Sequence, residues 1–244
     1  PCRTLTRAAE ASAPGDLISV APGTYGAGEV FPISLKSGVQ LVATGSPAET
    51  GVNGAGDTVK QGLLRFQGNT WSIARVEGFT FRNGLHHAAD SCGSPLGGAL
   101  YVSSSTGTVT VTRNVFSGNE ARGYSADGSG GQTGCLAWGG AVAVFSSPVN
   151  IVNNVFTGNV ARGGNGHSHP GTPLSGNEYG GQALGGAIYY SGNGTIANNT
   201  FHANYAVGGN GGTGSNGTGA GGFASAGAIS ASGTWAVDSP RIWR

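Results

Sequence analysis

The sequence is poor in charge. Only 9% of its 244 residues are charged, and Lys36 and Lys60 are its only lysines. Twelve basic residues against eleven acidic ones leave a formal charge of +1. That balance excludes a basic nucleic-acid surface, which gathers Lys and Arg on one face. It also excludes classical disorder, because 38% of the residues are hydrophobic and the net charge is small. No apolar run approaches the roughly 18 residues of a membrane helix, so no transmembrane segment is expected. Methionine is absent, even at position 1, so the chain reads as a processed or excised piece. There are three cysteines and no CxxC pair, which excludes a zinc ribbon. What is abundant is glycine. The 48 glycines are far above the average share of about 7% and need a structural reason.

That reason is a repeat. Gly97-Gly98-Ala99-Leu100-Tyr101-Val102 leads to Asn114-Val115-Phe116-Ser117-Gly118-Asn119. Gly139-Gly140-Ala141-Val142-Ala143-Val144 leads to Asn154-Val155-Phe156-Thr157-Gly158-Asn159. Gly185-Gly186-Ala187-Ile188-Tyr189-Tyr190 leads to Asn199-Thr200-Phe201-His202-Ala203-Asn204. A weaker copy ends around Phe81, and a fading one begins at Ala226. Between copies lie Gly-, Ser-, Asn- and Thr-rich insertions near 86–96, 122–138, 162–184 and 207–225.

Val109, Val111 and Val115 sit at odd positions with threonines between them, the period of a strand. Ile151 and Val155 repeat the pattern. Two short strands per unit bury nothing alone, whereas stacked units complete one another. The glycine pair opening each unit suits a tight corner. Asn114, Asn154 and Asn199, with Asn119, Asn159 and Asn204, are expected to form amide ladders between rungs. Phe81, Phe116, Phe156 and Phe201 are expected to stack inside as an aromatic column. Leu5, Ala8, Ala9 and Ser12 share a face of a short helix between Thr4 and Ala13. Such a helix covers the open end of a solenoid. Early strands are expected at 17–20, 30–35, 39–42, 63–66 and 72–76.

The GGA-[ILV] and F-x-x-N motifs resemble right-handed parallel β-helix repeats of the pectin-lyase-like superfold. In detail they are similar to repeats of polymorphic outer-membrane proteins and cell-surface adhesins. The resemblance implies an all-β, single right-handed parallel β-helix of about seven rungs. Residues 1–16 would form the N-terminal cap segment and 17–244 the solenoid, with its insertions at one corner. It also implies an extracellular or cell-surface protein with a structural or adhesive role. The alternative within the same superfold is a polysaccharide lyase or glycoside hydrolase. After Ile229 no cap helix is legible. Either the chain continues, or Trp235 and Trp243 plug the end, or that end meets another copy in a head-to-tail filament.

The site residues are few. Enzymes of this superfold need clustered carboxylates, and no strand here carries a pair; no catalytic residue, metal ligand or cofactor is assigned. Six residues beyond each repeat Phe come His87, Arg122, Arg162 and Val207. The three cations would form a basic strip that receives a sugar acid or sulfate. His86 and His87 with Asp90, or His167 with His169, have the chemistry of metal ligands, but solvated loop histidine is the preferred reading. Cys92 and Cys135 lie at the same corner of consecutive rungs and are expected to form a disulfide, which suits an oxidising compartment. The Gly-rich insertions are expected either to pack as polyglycine-like backbone along one flank or to stay mobile. The expected partners are other copies of the chain or a surrounding cell-surface polymer or polysaccharide.

Overall fold

Among the described residues, apart from one short helix and a small antiparallel pair (Thr213–Gly214 with Gly217–Thr218), the chain is built of parallel strands stacked into sheets. The computed structural model describes residues 2–55, 60–87, 93, 96–127, 133–232, 235–238 and 241–243, the last two segments by backbone alone. One turn from the middle of the coil shows all five strand positions; among the described residues the first turns lack the last two. Leu100–Ser103 lies in sheet 1, Val109–Thr112 in sheet 2 and Val115–Ser117 in sheet 3. The chain then enters Glu120–Arg122 (sheet 4), runs through an insertion, and returns by Ala137–Trp138 (sheet 5). Val142–Phe145 begins the next turn and pairs in parallel with Leu100–Ser103. Sheets 2 and 3 hold seven strands each and sheet 1 holds six, and all three are parallel throughout. The fold is a parallel β-helix.

Its core is a set of columns. Phe81, Phe116, Phe156 and Phe201 are paired in register and fully buried. Their ring centroids lie 5.3, 4.8 and 5.0 Å apart, and the last two pairs are within 7° of parallel. Val76, Val111, Ile151 and Ile196 form a second column on sheet 2. The alternation of apolar residues that marks each strand does not run through the corner. Arg113, Asn153 and Asn198 have φ of 56°, 59° and 54°, so the chain turns there and its phase resets. Val115 and Val155, which follow Val111 and Ile151 at even spacing, therefore do not share their inward face, and Val155 is 38% exposed. A unit has three main strands rather than two.

The asparagines close these corners. The Asn114 Nδ2 donates to the Asn154 Oδ1 at 3.1 Å, and the Asn154 Nδ2 donates to the Asn199 Oδ1 at 3.0 Å. Asn119, Asn159 and Asn204 are linked in the same way at 3.0 and 2.8 Å. Each buried amide also donates to a carbonyl of the preceding turn, such as that of Val76 or Phe81. The buried amides of these asparagines thereby find protein partners. A third ladder lies between sheets 1 and 2. The Asn69 N–H donates to the Ser105 Oγ, and the Ser105 N–H donates to the Ser147 Oγ.

The N-terminal end is covered by α1, Leu5–Ala11, capped by Thr4, whose Oγ accepts the Arg7 N–H. Leu5, Ala9 and Ser12 are buried against the rod. The expected strand at 30–35 is shorter, Ile33–Leu35, and Val30 is 66% exposed. Pro32, which has no N–H to give a ladder, stands before it. The strands Gly23–Tyr25 and Thr50–Asn53, interrupted by glycine, had no legible period. Trp235 and Trp243 lie in strands of the last turn, and a plug by their side chains falls outside the described residues.

The insertions are shorter than their sequence limits, because His86, His87, Arg122, Arg162 and Val207 already belong to sheet 4. Their described parts form a bonded second layer. Ala121, Ala137, Ala161 and Ala183 make a thin core of their own beneath sheets 4 and 5. Beyond it the chain runs out and back as extended limbs joined backbone to backbone. The N–H groups of Gly163 and Gly166 donate to Val207 and Asn210. Those of Gly180 and Ala183 donate to Ala220 and Phe223, and those of Gly209 and Gly212 to Gly181 and Glu178. Donors and acceptors both recur every third residue, the period of the polyproline II helix rather than of a sheet. A zigzag of bonds of 2.7–2.9 Å links Gly222, Gly209, Gly181, Gly164, Cys135 and Tyr124. Side chains cannot enter this lattice. A Cβ on Gly209 would stand 1.8 Å from the Gly164 carbonyl oxygen.

Candidate functional site

Sheet 4 projects one row of side chains beside the glycine limbs. His87, Arg122, Arg162 and Val207 are paired in register on consecutive strands, so the column expected from spacing is a physical row. Three residues further on, Ser125, Asn165 and Asn210 make a second row. The Asn165 N–H donates to the Ser125 Oγ at 3.0 Å, and the Asn210 N–H to the Asn165 Oδ1 at 2.9 Å. Between the rows lies an open groove of about 520 Å³ floored by Gly123, Gly163 and Gly208, with Tyr124 beside them. Because each row advances one turn at a time, the groove follows the rod axis.

Glu120 sets its electrostatics. The Arg122 Nε and Nη2 donate to the two carboxylate oxygens of Glu120 at 2.8 and 2.9 Å, and the Arg162 Nε reaches the same Oε1 at 3.3 Å. Two guanidinium groups thus share one carboxylate. The hydrogen bond to Glu120 raises the Arg122 pKa above its ordinary value. Burial pushes the His87 imidazole down, Arg122 and Lys60 push it further, and Glu120 opposes them. His86 points the other way, half-buried beside Leu96, and is lowered chiefly by burial. Its Nδ1 lies 2.9 Å from the Leu96 carbonyl oxygen.

Two other clusters stand apart. Tyr101, Trp138, Phe145 and Tyr189 form an aromatic patch on the outer side of sheet 1, with ring centroids 4.9–6.2 Å apart. His167 and His169 meet edge to face at 4.4 Å, and the His169 Nε2 lies 3.4 Å from the Glu178 carboxylate. Glu178 is fully buried. Its pKa is lowered to about 2 by hydrogen bonds from Ser175, led by the Ser175 hydroxyl, and from the Gly176 N–H, against the opposing effect of burial. No cluster of three or more His, Cys, Asp or Glu residues able to hold a metal occurs among the described residues. Asp90 and Cys92 lie outside the described residues, so the His86–His87–Asp90 grouping and the Cys92–Cys135 pairing both fall outside them too. Cys135 is buried, and Cys2 is exposed with a free thiol.

A model of the family described as "Protein of unknown function (DUF1565)" matches residues 1–234. The chain belongs to the DUF1565 family. This is a right-handed β-helix family, in keeping with the parallel stacked sheets seen here. No curated protein and no solved structure matches the chain.

Sequence reasoning found the cation row of this DUF1565 chain but missed the opposite wall. The signal was present: Ser125, Asn165 and Asn210 lie nine residues after Phe116, Phe156 and Phe201. The aromatic patch also had a signal, since Tyr101 and Tyr189 occupy the same place after GGA.

Proposed function

We propose that this DUF1565 chain is an extracellular or cell-surface β-solenoid with a structural or adhesive role, and that copies assemble head to tail. The observation that carries the reading is the bonded flank. Extracellular display needs a surface that holds its shape without depending on salt. Here the described parts of the insertions are fixed by backbone hydrogen bonds, which ionic strength screens little. Assembly is supported by exposed aromatic side chains, Tyr205 (57%) on the edge strand of sheet 4 and Phe223 (76%) on the neighbouring limb. A disulfide between Cys92 and Cys135 belongs to the same proposal, since it would staple consecutive insertions in an oxidising compartment.

The lyase alternative asks an arginine to act as base. The Glu120 carboxylate raises the pKa of Arg122, which makes proton removal from it harder. Electron microscopy of native material tests the proposal. Filaments are the expected result, and dispersed single rods would overturn head-to-tail assembly. Peptide mapping without reductant is expected to recover Cys92 and Cys135 in one linked species.

A further inference from the structure

We infer that the axial groove beside sheet 4 binds a linear saccharide carrying oxyanion groups, carboxylate or sulfate, laid parallel to the rod axis. The inference gives the adhesive reading a ligand and rests on it only for its biological use; binding and filament formation are separate measurements.

The groove is linear because both its walls are built by translation. Arg122 and Arg162 are register partners, and Asn165 and Asn210 are joined by a hydrogen bond from one turn to the next. Neighbouring parallel strands are about 4.8 Å apart, close to the length of one pyranose in an extended chain. A polymer with a sugar-sized repeat therefore meets equivalent groups at successive turns. The walls also differ in chemistry. Arg122 and Arg162 offer guanidinium donors suited to an oxyanion, whereas Asn165 and Asn210 offer exposed amides suited to hydroxyl groups. The glycine floor lets a flat ring approach the backbone. Two guanidinium groups against the single Glu120 carboxylate leave an excess of positive charge on one wall. Glu120 occupies the place of a ligand oxyanion and competes with it.

Titration calorimetry at low salt tests this, with tetrasaccharide probes of three kinds: an oligouronate, a sulfated oligosaccharide and a neutral oligosaccharide, plus an acidic tetrapeptide. The acidic saccharides are expected to bind at least about tenfold more tightly than the neutral one and the peptide, and the stronger of the two names the oxyanion. Arg162→Gln is expected to weaken binding about fivefold. Glu120→Gln, which removes the competing carboxylate, is expected to strengthen it about two- to fivefold. A merely structural Glu120 would give no gain. Equal binding of the neutral probe, binding of the peptide as tightly as the saccharides, no binding by any saccharide, or indifference to both substitutions in proteins with unchanged melting would each overturn the inference. Should binding hold while no filaments are found, only the assembly proposal fails.

Discussion

The rod and its flank are two solutions to the same stacking problem. The rod buries side chains: Phe66, Phe81, Phe116, Phe156, Leu100, Ile151 and Tyr190 are all at or near zero exposure. The flank buries almost none. Its core is four alanines, and its limbs meet mainly through N–H and carbonyl groups, with a few polar side chains such as Ser125 and Asn165 accepting from the next limb. Burial of apolar area grows with side-chain size, so the rod has a driving force of its own. The flank gains hydrogen bonds but gives up the large conformational freedom of glycine. It is therefore dependent. Its limbs hold their register because strands of sheets 4 and 5 pin both ends of the 122–138, 162–184 and 207–225 insertions to the rod. Side chains drive the rod, and the rod positions the backbone of the flank.

The largest test strikes the rod. Phe156 is fully buried, with stacked neighbours at 4.8 and 5.0 Å. Phe156→Ala is expected to cost about 3–5 kcal/mol, measured by calorimetric melting, and to loosen rod and flank together. If amide exchange showed the flank still protected once the rod had opened, its dependence would be disproved.

A smaller test strikes the flank. Gly209→Ala places a Cβ 1.8 Å from the Gly164 carbonyl oxygen, an overlap that only backbone displacement relieves. Overpacking of this kind costs about 1–3 kcal/mol. The loss is expected as faster amide exchange at Gly181, Gly209 and Gly222, with Val111, Phe116 and Phe156 unchanged. An unaltered exchange pattern would mean that the limbs are held by something other than their close approach.

This contrast also explains what was legible in the sequence. The rod's signals are side chains that recur once per turn, so the Phe column and both Asn rows stood out. The αL residues at 113, 153 and 198 follow no single residue type. The phase change at that corner was therefore hidden, and Val115 and Val155 read as a continuation of the Val111 and Ile151 alternation. The third ladder was hidden because Asn69 hands over to Ser105 and Ser147, different residues with the same acceptor role. In the flank only composition was legible. Glycine abundance suggested polyglycine packing or mobility and did not decide between them, because the deciding bonds are made by backbone, which every sequence has. The groove was half visible for a related reason. Its cationic wall belongs to sheet 4, whereas its amide wall lies three residues further on, equally in frame but inside Gly-, Ser- and Asn-rich segments where Ser125, Asn165 and Asn210 do not stand out from their neighbours.

The smallest effect concerns acid and separates the two regions by pH. Within the flank, the buried Glu178 accepts hydrogen bonds from the Ser175 N–H and hydroxyl, both at 2.6 Å, and from the Gly176 N–H at 2.8 Å, and it faces His169. These bonds hold its pKa near 2, below the ordinary value of 4.5. A carboxyl whose pKa is depressed by folding contributes stability above its unfolded pKa. That contribution is lost as pH falls through the folded value, so the window runs from about 4.5 down to about 2. Glu178 also fixes the lattice through its backbone, its carbonyl accepting the Gly212 N–H. Acidification across this window is therefore expected to release Gly212 and Gly219 before any main-sheet amide. Glu49, in a turn near the other end of the rod, is also lowered, by Ser46, and its titration falls in the same direction. Glu178→Gln separates the two. It keeps the side chain's shape and removes its charge, so flank exchange in the variant is expected to lose its dependence on pH between 4.5 and 2 while any response near Glu49 persists. A flank that still opened with acid in the variant would assign the sensitivity to another group.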